Sequence, residues 1–226
     1  MDLALKNSVA LVVGGSGYIG RAVTDRLRNE GAEVVVASRH PDDTGVELDA
    51  RDAVSVRSAV ARVLAERGRI DVLVVTAAPS AQTLDPARNS DPEQVADAID
   101  GKALAFLRVA NEVVPVMREA GHGRIVVISG QNALVTGNIT GSVRNAATIV
   151  VAKNLADQLA GTGVNVTVVN PGIVADEPET EVAAGSGGQS SPTQIADLVA
   201  FLSSPLSAVS GESIAVGHRV RGVVSF

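Results

Sequence analysis

The stretch SVALVVGGSGYIGRA, residues 8–22, decides the fold class. An apolar run of strand length ends in a glycine-rich turn, and a helical pattern begins directly after it. Gly14, Gly17 and Gly20 form the pattern G-x-x-G-x-x-G. It has one more residue between its first two glycines than the dinucleotide fingerprint G-x-G-x-x-G. Glycines allow a tight turn and a close approach of backbone N–H groups to a pyrophosphate at the positive end of a helix. The stretch therefore predicts a nucleotide-binding turn. A strand-to-helix turn without a ligand is the alternative.

Composition predicts one α/β domain over residues 1–226. The chain is 46% hydrophobic and only 2% aromatic, so its core must consist of Val, Ala, Leu and Ile. A net charge of −6, without a basic stripe, argues against nucleic acid as a partner. The absence of cysteine excludes disulfides and thiolate catalysis, and three scattered histidines predict no metal site. Neither a signal peptide nor a run of membrane-spanning length is present, which favours a cytoplasmic protein without membrane contact.

Strand and helix patterns alternate along the whole chain. The predicted strands are 9–13, 33–38, 46–48, 71–76, 124–129, 164–169 and 213–216, and the predicted helices are 22–31, 54–67, 91–117, 141–159 and 191–203. This alternation predicts a doubly wound, Rossmann-like parallel sheet of about seven strands, with helices on both faces and ligands at the carboxyl ends of the strands. We expect irregular structure over 78–89. The Gly-, Ser- and Glu-rich segment 171–190 fits either a substrate lid or a solvated linker.

The order of elements resembles the short-chain dehydrogenase/reductase family over nearly the whole chain. The residues that carry the resemblance are ALVVGGSGYIGRA (10–22), Leu48-Asp49, GRIVVIS (123–129), VNVTVVNPG (164–172), FLSS (201–204) and SGE (210–212). The resemblance implies an oxidoreductase that transfers hydride between a nicotinamide cofactor and a small carbonyl or alcohol substrate. It also implies a homodimer or homotetramer that pairs through helices 91–117 and 141–159.

The cofactor predicted from the end of the second strand is NADP rather than NAD. An acidic residue there would hold a ribose 2′-hydroxyl, whereas arginine favours a 2′-phosphate, and the chain has Arg39 and no acid. A solvated surface charge is the alternative role for Arg39. The resemblance places Asp49 beside the adenine and Pro171-Gly172 beside the nicotinamide. The complete predicted cofactor set is Gly14, Ser16, Gly17, Tyr18, Ile19, Gly20, Arg39, Asp49, Pro171 and Gly172.

This chain replaces all of the residues that act as acid or base in the short-chain dehydrogenase/reductase family. Its Tyr-x-x-x-Lys pair falls on Gly141 and Asn145, and the single tyrosine of the chain lies in the glycine turn. Its serine falls on Gly130, one residue after Ser129, and its helix asparagine falls on Lys102. In the family, the tyrosine exchanges the proton while the lysine ammonium lowers the tyrosine pKa. The usual proton donor is therefore absent.

Lysine and asparagine have exchanged places, because Lys102 stands where asparagine is expected and Asn145 where lysine is expected. The resemblance puts both positions in one pocket, so the predicted catalytic set is Lys102, Ser129 and Asn145. Alternatively, Lys102 is a solvated helix lysine and Asn145 a polar residue at a helix start.

Three functions stay open on the sequence. One is an NADP(H)-dependent reductase in which Lys102, or a water that it holds, supplies the proton. Another is a silent partner subunit or a non-redox protein (cyclase, dehydratase or sensor) on the same scaffold. The third is a scaffold that has lost the nucleotide.

Overall fold

The structure contains the predicted doubly wound parallel sheet. The computed structural model describes residues 2–79 and 84–222. Seven parallel strands lie in the order β3-β2-β1-β4-β5-β6-β7. The strands are β1 Val9–Val13, β2 Glu33–Ser38, β3 Val46–Glu47, β4 Val72–Val75, β5 Gly123–Ile128, β6 Val164–Pro171 and β7 Ser213–Val216. The strand order reverses direction beside β1, and this switch point is where open α/β sheets bind ligands.

Six α-helices cover the two faces of the sheet. They are α1 Tyr18–Asn29, α2 Ala53–Arg67, α3 Pro92–Ile99, α4 Ala105–Ala120, α5 Ile139–Gln158 and α6 Pro192–Ser203. Short 3₁₀ turns lie at Pro86–Arg88 and Gln131–Leu134. None of the helices in the described ranges is long and apolar enough to cross a membrane.

The core has two layers because successive strand residues point to opposite faces. Leu11 and Val13 of β1 pack in the layer that includes α2, α4 and α5, with Phe106 fully buried there. Val12, between them in sequence, packs in the other layer, which includes α1 and α6. The strands β1, β4 and β5 are buried along their whole length, as parallel strands between two helical layers are.

The predicted helix 91–117 is wrong in one respect that matters for the site. It is interrupted by a π turn, Asp100–Leu104, between α3 and α4. The predicted N-terminus is confirmed, since the Asp91 carboxylate accepts a hydrogen bond from Glu93 N at 2.9 Å. π turns within helices are frequent at functional sites, and this one contains Lys102.

Several boundaries also differ from the sequence prediction; α1, for example, begins at Tyr18 rather than at 22. α5 begins at Ile139 rather than at 141, because the Asn138 side chain caps it by accepting from Gly141 N at 2.8 Å. β6 continues to Pro171, two residues beyond its predicted end. The prediction of irregular structure over 78–89 falls partly on residues 80–83, which lie outside the described residues.

Part of the segment after β6 forms a wall of the main cavity, while most of its residues between 176 and 186 are exposed. Val174 pairs with Ser190 in a bridge, and Gly188 N donates to His218 O at 2.7 Å. Gly172, Ile173 and the turn at 185–187 line the cavity described below. A role of this segment as a substrate lid stays a prediction.

Candidate active site

One cavity of about 1260 Å³ lies at the carboxyl ends of the strands. Every residue predicted to bind the cofactor or to act in catalysis lines it. These residues are Gly14, Ser16, Gly17, Tyr18, Ile19, Gly20, Arg39, Lys102, Asp49, Ser129, Asn145, Pro171 and Gly172. The fold thus brings together residues from both halves of the sequence at the edge where a doubly wound sheet binds ligands.

The glycine turn is packed so closely that side chains would not fit. A Cβ on Gly20 would lie 2.1 Å from Gly14 O, and a Cβ on Gly14 would lie 2.6 Å from Ala77 N. Gly14 also has a φ of +85°, which glycine adopts readily. Thr76 Oγ1 holds the turn from the neighbouring strand by donating to Gly14 O at 3.0 Å.

The first turn of α1 has an electropositive end that faces the cavity. Gly17, the residue before the helix, supplies no side-chain cap, and the first turn contains no acidic residue. The first backbone N–H groups of a helix need a partner outside it, and the helix dipole favours an anion. The turn therefore fits the pyrophosphate of a dinucleotide.

Tyr18 connects the glycine turn to the segment after β6. Its side chain is 54% exposed, and its hydroxyl donates to Asp176 Oδ1 at 2.6 Å. This hydrogen bond to a carboxylate raises the pKa of Tyr18 above its ordinary value of 10.0. A tyrosine whose pKa is raised in this way is a poor acid at neutral pH, so Tyr18 does not replace the missing family tyrosine.

Arg39 and Asp49 lie at another part of the cavity wall. Arg39 is exposed and makes no hydrogen bond or ion pair with any other described residue. Asp49 is half-buried, and one carboxylate oxygen accepts from Arg51 N at 2.9 Å. The backbone N–H of Asp49 donates to Ser55 Oγ at 2.9 Å, which fixes the residue after β3 against α2.

Lys102, Ser129 and Asn145 form one buried hydrogen-bonded cluster. Lys102 Nζ donates to Asn145 Oδ1 at 2.5 Å and to Ser129 O at 3.0 Å. Ser129 Oγ donates to the Asn145 carbonyl oxygen at 3.0 Å, and Asn145 Nδ2 donates to Asn132 Oδ1. Lys102 is only 6% exposed, so its alternative role as a solvated helix lysine is wrong. An ammonium has three hydrogens, and two are used here, which leaves one for a ligand.

The Lys102 ammonium is destabilised where it lies. Burial, and secondarily the positive charge of Arg144, lower the pKa of Lys102 from 10.5 to about 7. No ion pair in the described part of the chain includes Lys102, so no carboxylate opposes these two effects. A lysine with this pKa can give up and regain a proton near neutral pH.

Two glycines at the family's acid/base positions make room for the asparagines. A Cβ on Gly141, where the family has tyrosine, would lie 2.7 Å from Asn132 Nδ2. A Cβ on Gly130, where the family has serine, would lie 2.9 Å from Asn145 Nδ2. The replaced positions are therefore linked to one another, because the amide network occupies the space that the usual side chains would need.

Comparison with known proteins shows the family to which the chain belongs. A family model described as short chain dehydrogenase matches residues 8–186, most of the chain and all of the site's strands up to β6. The chain belongs to the short-chain dehydrogenase family. Members of this family are oxidoreductases that bind NAD or NADP and act on small molecules.

The similar short-chain dehydrogenases span nearly the same length. A subunit of (2S)-[(R)-hydroxy(phenyl)methyl]succinyl-CoA dehydrogenase, BbsC from Thauera aromatica, is 33% identical over 92% of this chain and 92% of its own. The 3-oxoacyl-[acyl-carrier-protein] reductase FabG of Escherichia coli is 27% identical over 93% of this chain and 96% of its own. The ligand-free aldohexose dehydrogenase (AldT) of Thermoplasma acidophilum, 24% identical, shares the fold with a TM-score of 0.80 over 100% of this chain and 99% of its own.

Three residues of this short-chain dehydrogenase site were not predicted from the sequence. Asn132 holds the Asn145 amide, as described, and Gln131 Nε2 donates to Val216 O and His218 O at 3.1 Å, which ties the C-terminal segment to the cavity wall. Arg144 is buried in the wall next to Asn145. Arg144 lies on the same buried helix face as Gly141, Asn145 and Thr148, but these residues form no hydrophobic period that the sequence could have revealed.

Proposed function

We propose that this protein is an NADP(H)-dependent carbonyl reductase in which Lys102 takes the place of the family's tyrosine as proton donor. The observation that carries the proposal is the buried Lys102 ammonium, held by Ser129 O and Asn145 Oδ1 in the same cavity as the glycine turn. Its pKa of about 7 lies in the range that serves a general acid at neutral pH.

In this reaction Lys102 gives one proton to the carbonyl oxygen of the substrate. A bound nicotinamide cofactor supplies the hydride that the carbonyl carbon receives, so the carbonyl is reduced to an alcohol and the cofactor is oxidised. Asn145 and Ser129 orient the lysine through the two acceptors that it uses. Proton loss is favourable at this place because burial and the positive charge of Arg144 destabilise the ammonium. The neutral amine that remains is free of both effects.

NADP is the proposed cofactor because Arg39 is an unengaged cation in the cavity wall after β2. A guanidinium can make paired hydrogen bonds to a phosphate, which gives it an advantage over a neutral residue for a 2′-phosphate. The glycine turn, Asp49 and the Pro171-Gly172 turn complete the proposed cofactor site, because they line the same cavity.

A silent or non-redox member of the same fold is the second candidate. Two observations favour it: position 141 is glycine, which cannot exchange a proton, and the relative BbsC is named as a subunit of a dehydrogenase. Against it stands the amide network, since Gly130 and Gly141 leave the space that Asn132 and Asn145 need.

Cofactor binding and turnover distinguish the candidates. NADPH fluorescence is titrated with the purified chain, and NADPH oxidation is then followed over a panel of carbonyl compounds. Turnover supports the reductase, binding without turnover supports the silent protein, and no binding supports the scaffold without nucleotide.

The role of Lys102 is tested by the Lys102→Met variant. Loss of a general acid is expected to lower the reduction rate by about 100- to 10,000-fold. Lys153→Met is the matched control, because Lys153 is an exposed lysine on α5 that pairs with Asp157 outside the cavity. Full turnover in Lys102→Met would remove Lys102 from the mechanism.

We also propose that the chain assembles as a homodimer or homotetramer through α4 and α5. Ile139, Val143 and Val150 of α5 are exposed and lie on one stripe at helical spacing, and Leu104 before α4 is exposed as well. Light scattering of the purified chain tests this assembly, and a monomer at micromolar concentration would contradict it.

A further inference from the structure

Arg144 is a buried cation without a carboxylate partner among the described residues. Its side chain lies in the cavity wall on α5 and is only 4% exposed. Nη1 donates to Pro79 O at 3.1 Å, while Nε has no hydrogen-bond partner in the part of the chain that the structure describes. The ion pairs found among the described residues do not include it. Buried charges in proteins are usually paired, so this arginine requires an explanation.

The surroundings of Arg144 increase its need for an anion. The positive charge of Arg144 acts on the pKa of Lys102, and no carboxylate among the described residues acts on the pKa of either group. Asp97 also lines the cavity, but its carboxylate pairs with Arg51. Burial lowers the pKa of Arg144, which means that its charged form is unfavourable there. Two adjacent cations with no acidic side chain between them attract an anionic group from outside the chain.

We infer that Arg144 binds a carboxylate on the substrate, so that the substrate is an oxo acid whose carbonyl meets Lys102. This inference rests on the proposed reductase function. A carboxylate can accept two parallel hydrogen bonds from a guanidinium, and Nε of Arg144 has no hydrogen-bond partner among the described residues. Arg144 keeps its charge throughout, whereas Lys102 becomes neutral when it gives up its proton, and one cation then faces one carboxylate.

Binding is tested first without turnover. The melting temperature of the full chain is measured with succinate, with its neutral dimethyl ester, with inorganic phosphate, and with sodium chloride at matched ionic strength. We expect succinate, but not its ester or the salt, to stabilise the wild type, and Arg144→Gln to abolish this shift while Arg62→Gln, a surface arginine paired with Glu66, retains it. A shift by phosphate that Arg144→Gln abolishes, or no shift by succinate, would overturn the carboxylate assignment, whereas a phosphate shift that Arg144→Gln retains belongs to the glycine turn.

The variant itself separates a binding role from a structural one. Removal of a buried, uncompensated charge is expected to raise the melting temperature of the ligand-free chain. A binding role therefore predicts that Arg144→Gln and Arg144→Met melt at or above the wild-type temperature. If both melt well below it, while Arg62→Gln does not, the guanidinium is structural and the inference fails.

Substrate preference is measured next, with NADPH and oxo acids that carry the carbonyl at position 2, 3 or 4, each beside its methyl ester. We expect kcat/KM to favour one acid over its ester, and Arg144→Gln to reduce this acid-to-ester ratio by about 100-fold. Equal reduction of acids and esters by the wild type would overturn the inference and leave the reductase standing. An Arg144-dependent shift by succinate without reduction of any carbonyl would overturn the reductase and leave the anion site standing.

Discussion

The single tyrosine of the chain, Tyr18, donates its hydroxyl hydrogen to Asp176 Oδ1 at 2.6 Å and so joins the glycine turn to the segment after β6. Both of these elements are walls of the cavity. The residues are 158 positions apart in sequence, so the hydrogen bond links two distant parts of the chain beside the cavity.

Removal of the Tyr18–Asp176 hydrogen bond is expected to speed the release of NADPH. Because the pair is exposed, we expect only about a threefold increase in the dissociation rate for Tyr18→Phe. Asp176→Ala should have the same effect, and the double variant should add nothing further, since both changes remove one shared contact. Stopped-flow displacement of bound NADPH measures the rates. Independent, multiplying effects would show that the two residues do not act as a pair.

The close packing of the glycine turn predicts a large difference between two conservative substitutions. Alanine is favoured over glycine within a helix by about 1 kcal/mol, but the Cβ of Gly20→Ala would lie 2.1 Å from Gly14 O. We expect this clash to exceed the propensity gain and to lower the free energy of unfolding by about 3 kcal/mol. Denaturant unfolding measures the loss, and NADPH binding should fall with it.

Gly17→Ala is the matched control for this substitution, because its Cβ would lie 3.2 Å from the same oxygen. That distance is tight but can relax by a few tenths of an ångström. A Gly20→Ala variant as stable as Gly17→Ala, with intact NADPH binding, would contradict the packing of β1 against α1.

The sequence predicted the features that depend on local interactions. It did not predict the features that depend on contacts between distant parts of the chain. Strands and the glycine turn depend on local patterns, so their positions agree with the structure to within about two residues. The meeting of Lys102 with Asn145 depends on two elements that touch only in the folded chain, and only the family resemblance predicted it. Arg144 was missed because an arginine on a helix is ordinarily exposed, and its hydrogen bond to Pro79 O joins residues that are 65 positions apart in sequence. The π turn at Asp100–Leu104 has no local marker in the sequence.

Arg39 predicts the preference between the two nicotinamide cofactors. Loss of hydrogen bonds to a charged phosphate should weaken NADPH binding by about 10- to 100-fold in Arg39→Ala. NADH has no 2′-phosphate, so the ratio of the two dissociation constants should change by nearly the same factor. Fluorescence titration of both cofactors measures the ratio. A ratio equal to that of the wild type would return Arg39 to the role of a solvated surface charge.

The lowered pKa of Lys102 predicts a change of stability with pH. In the unfolded chain the lysine holds its proton up to its ordinary pKa of 10.5, whereas in the folded chain it loses it at about 7. Between these two values only the unfolded state binds the proton, so the free energy of unfolding rises with pH by about 1.4 kcal/mol per unit. Below pH 7 both states are protonated, and the full penalty of the buried charge is present.

Lys102→Met lacks this group, and its stability relative to the wild type must therefore depend on pH. We expect the variant to be the more stable protein at pH 6.5 and to lose about 3 kcal/mol of that advantage by pH 9.5. Urea unfolding at four pH values measures both curves, and Lys153→Met, which changes an exposed lysine on α5, should run parallel to the wild type. If the stability curve of Lys102→Met also ran parallel to that of the wild type, Lys102 would be charged throughout this pH range. A lysine that keeps its proton up to pH 9.5 is too weak an acid to be an efficient proton donor for a reductase at neutral pH.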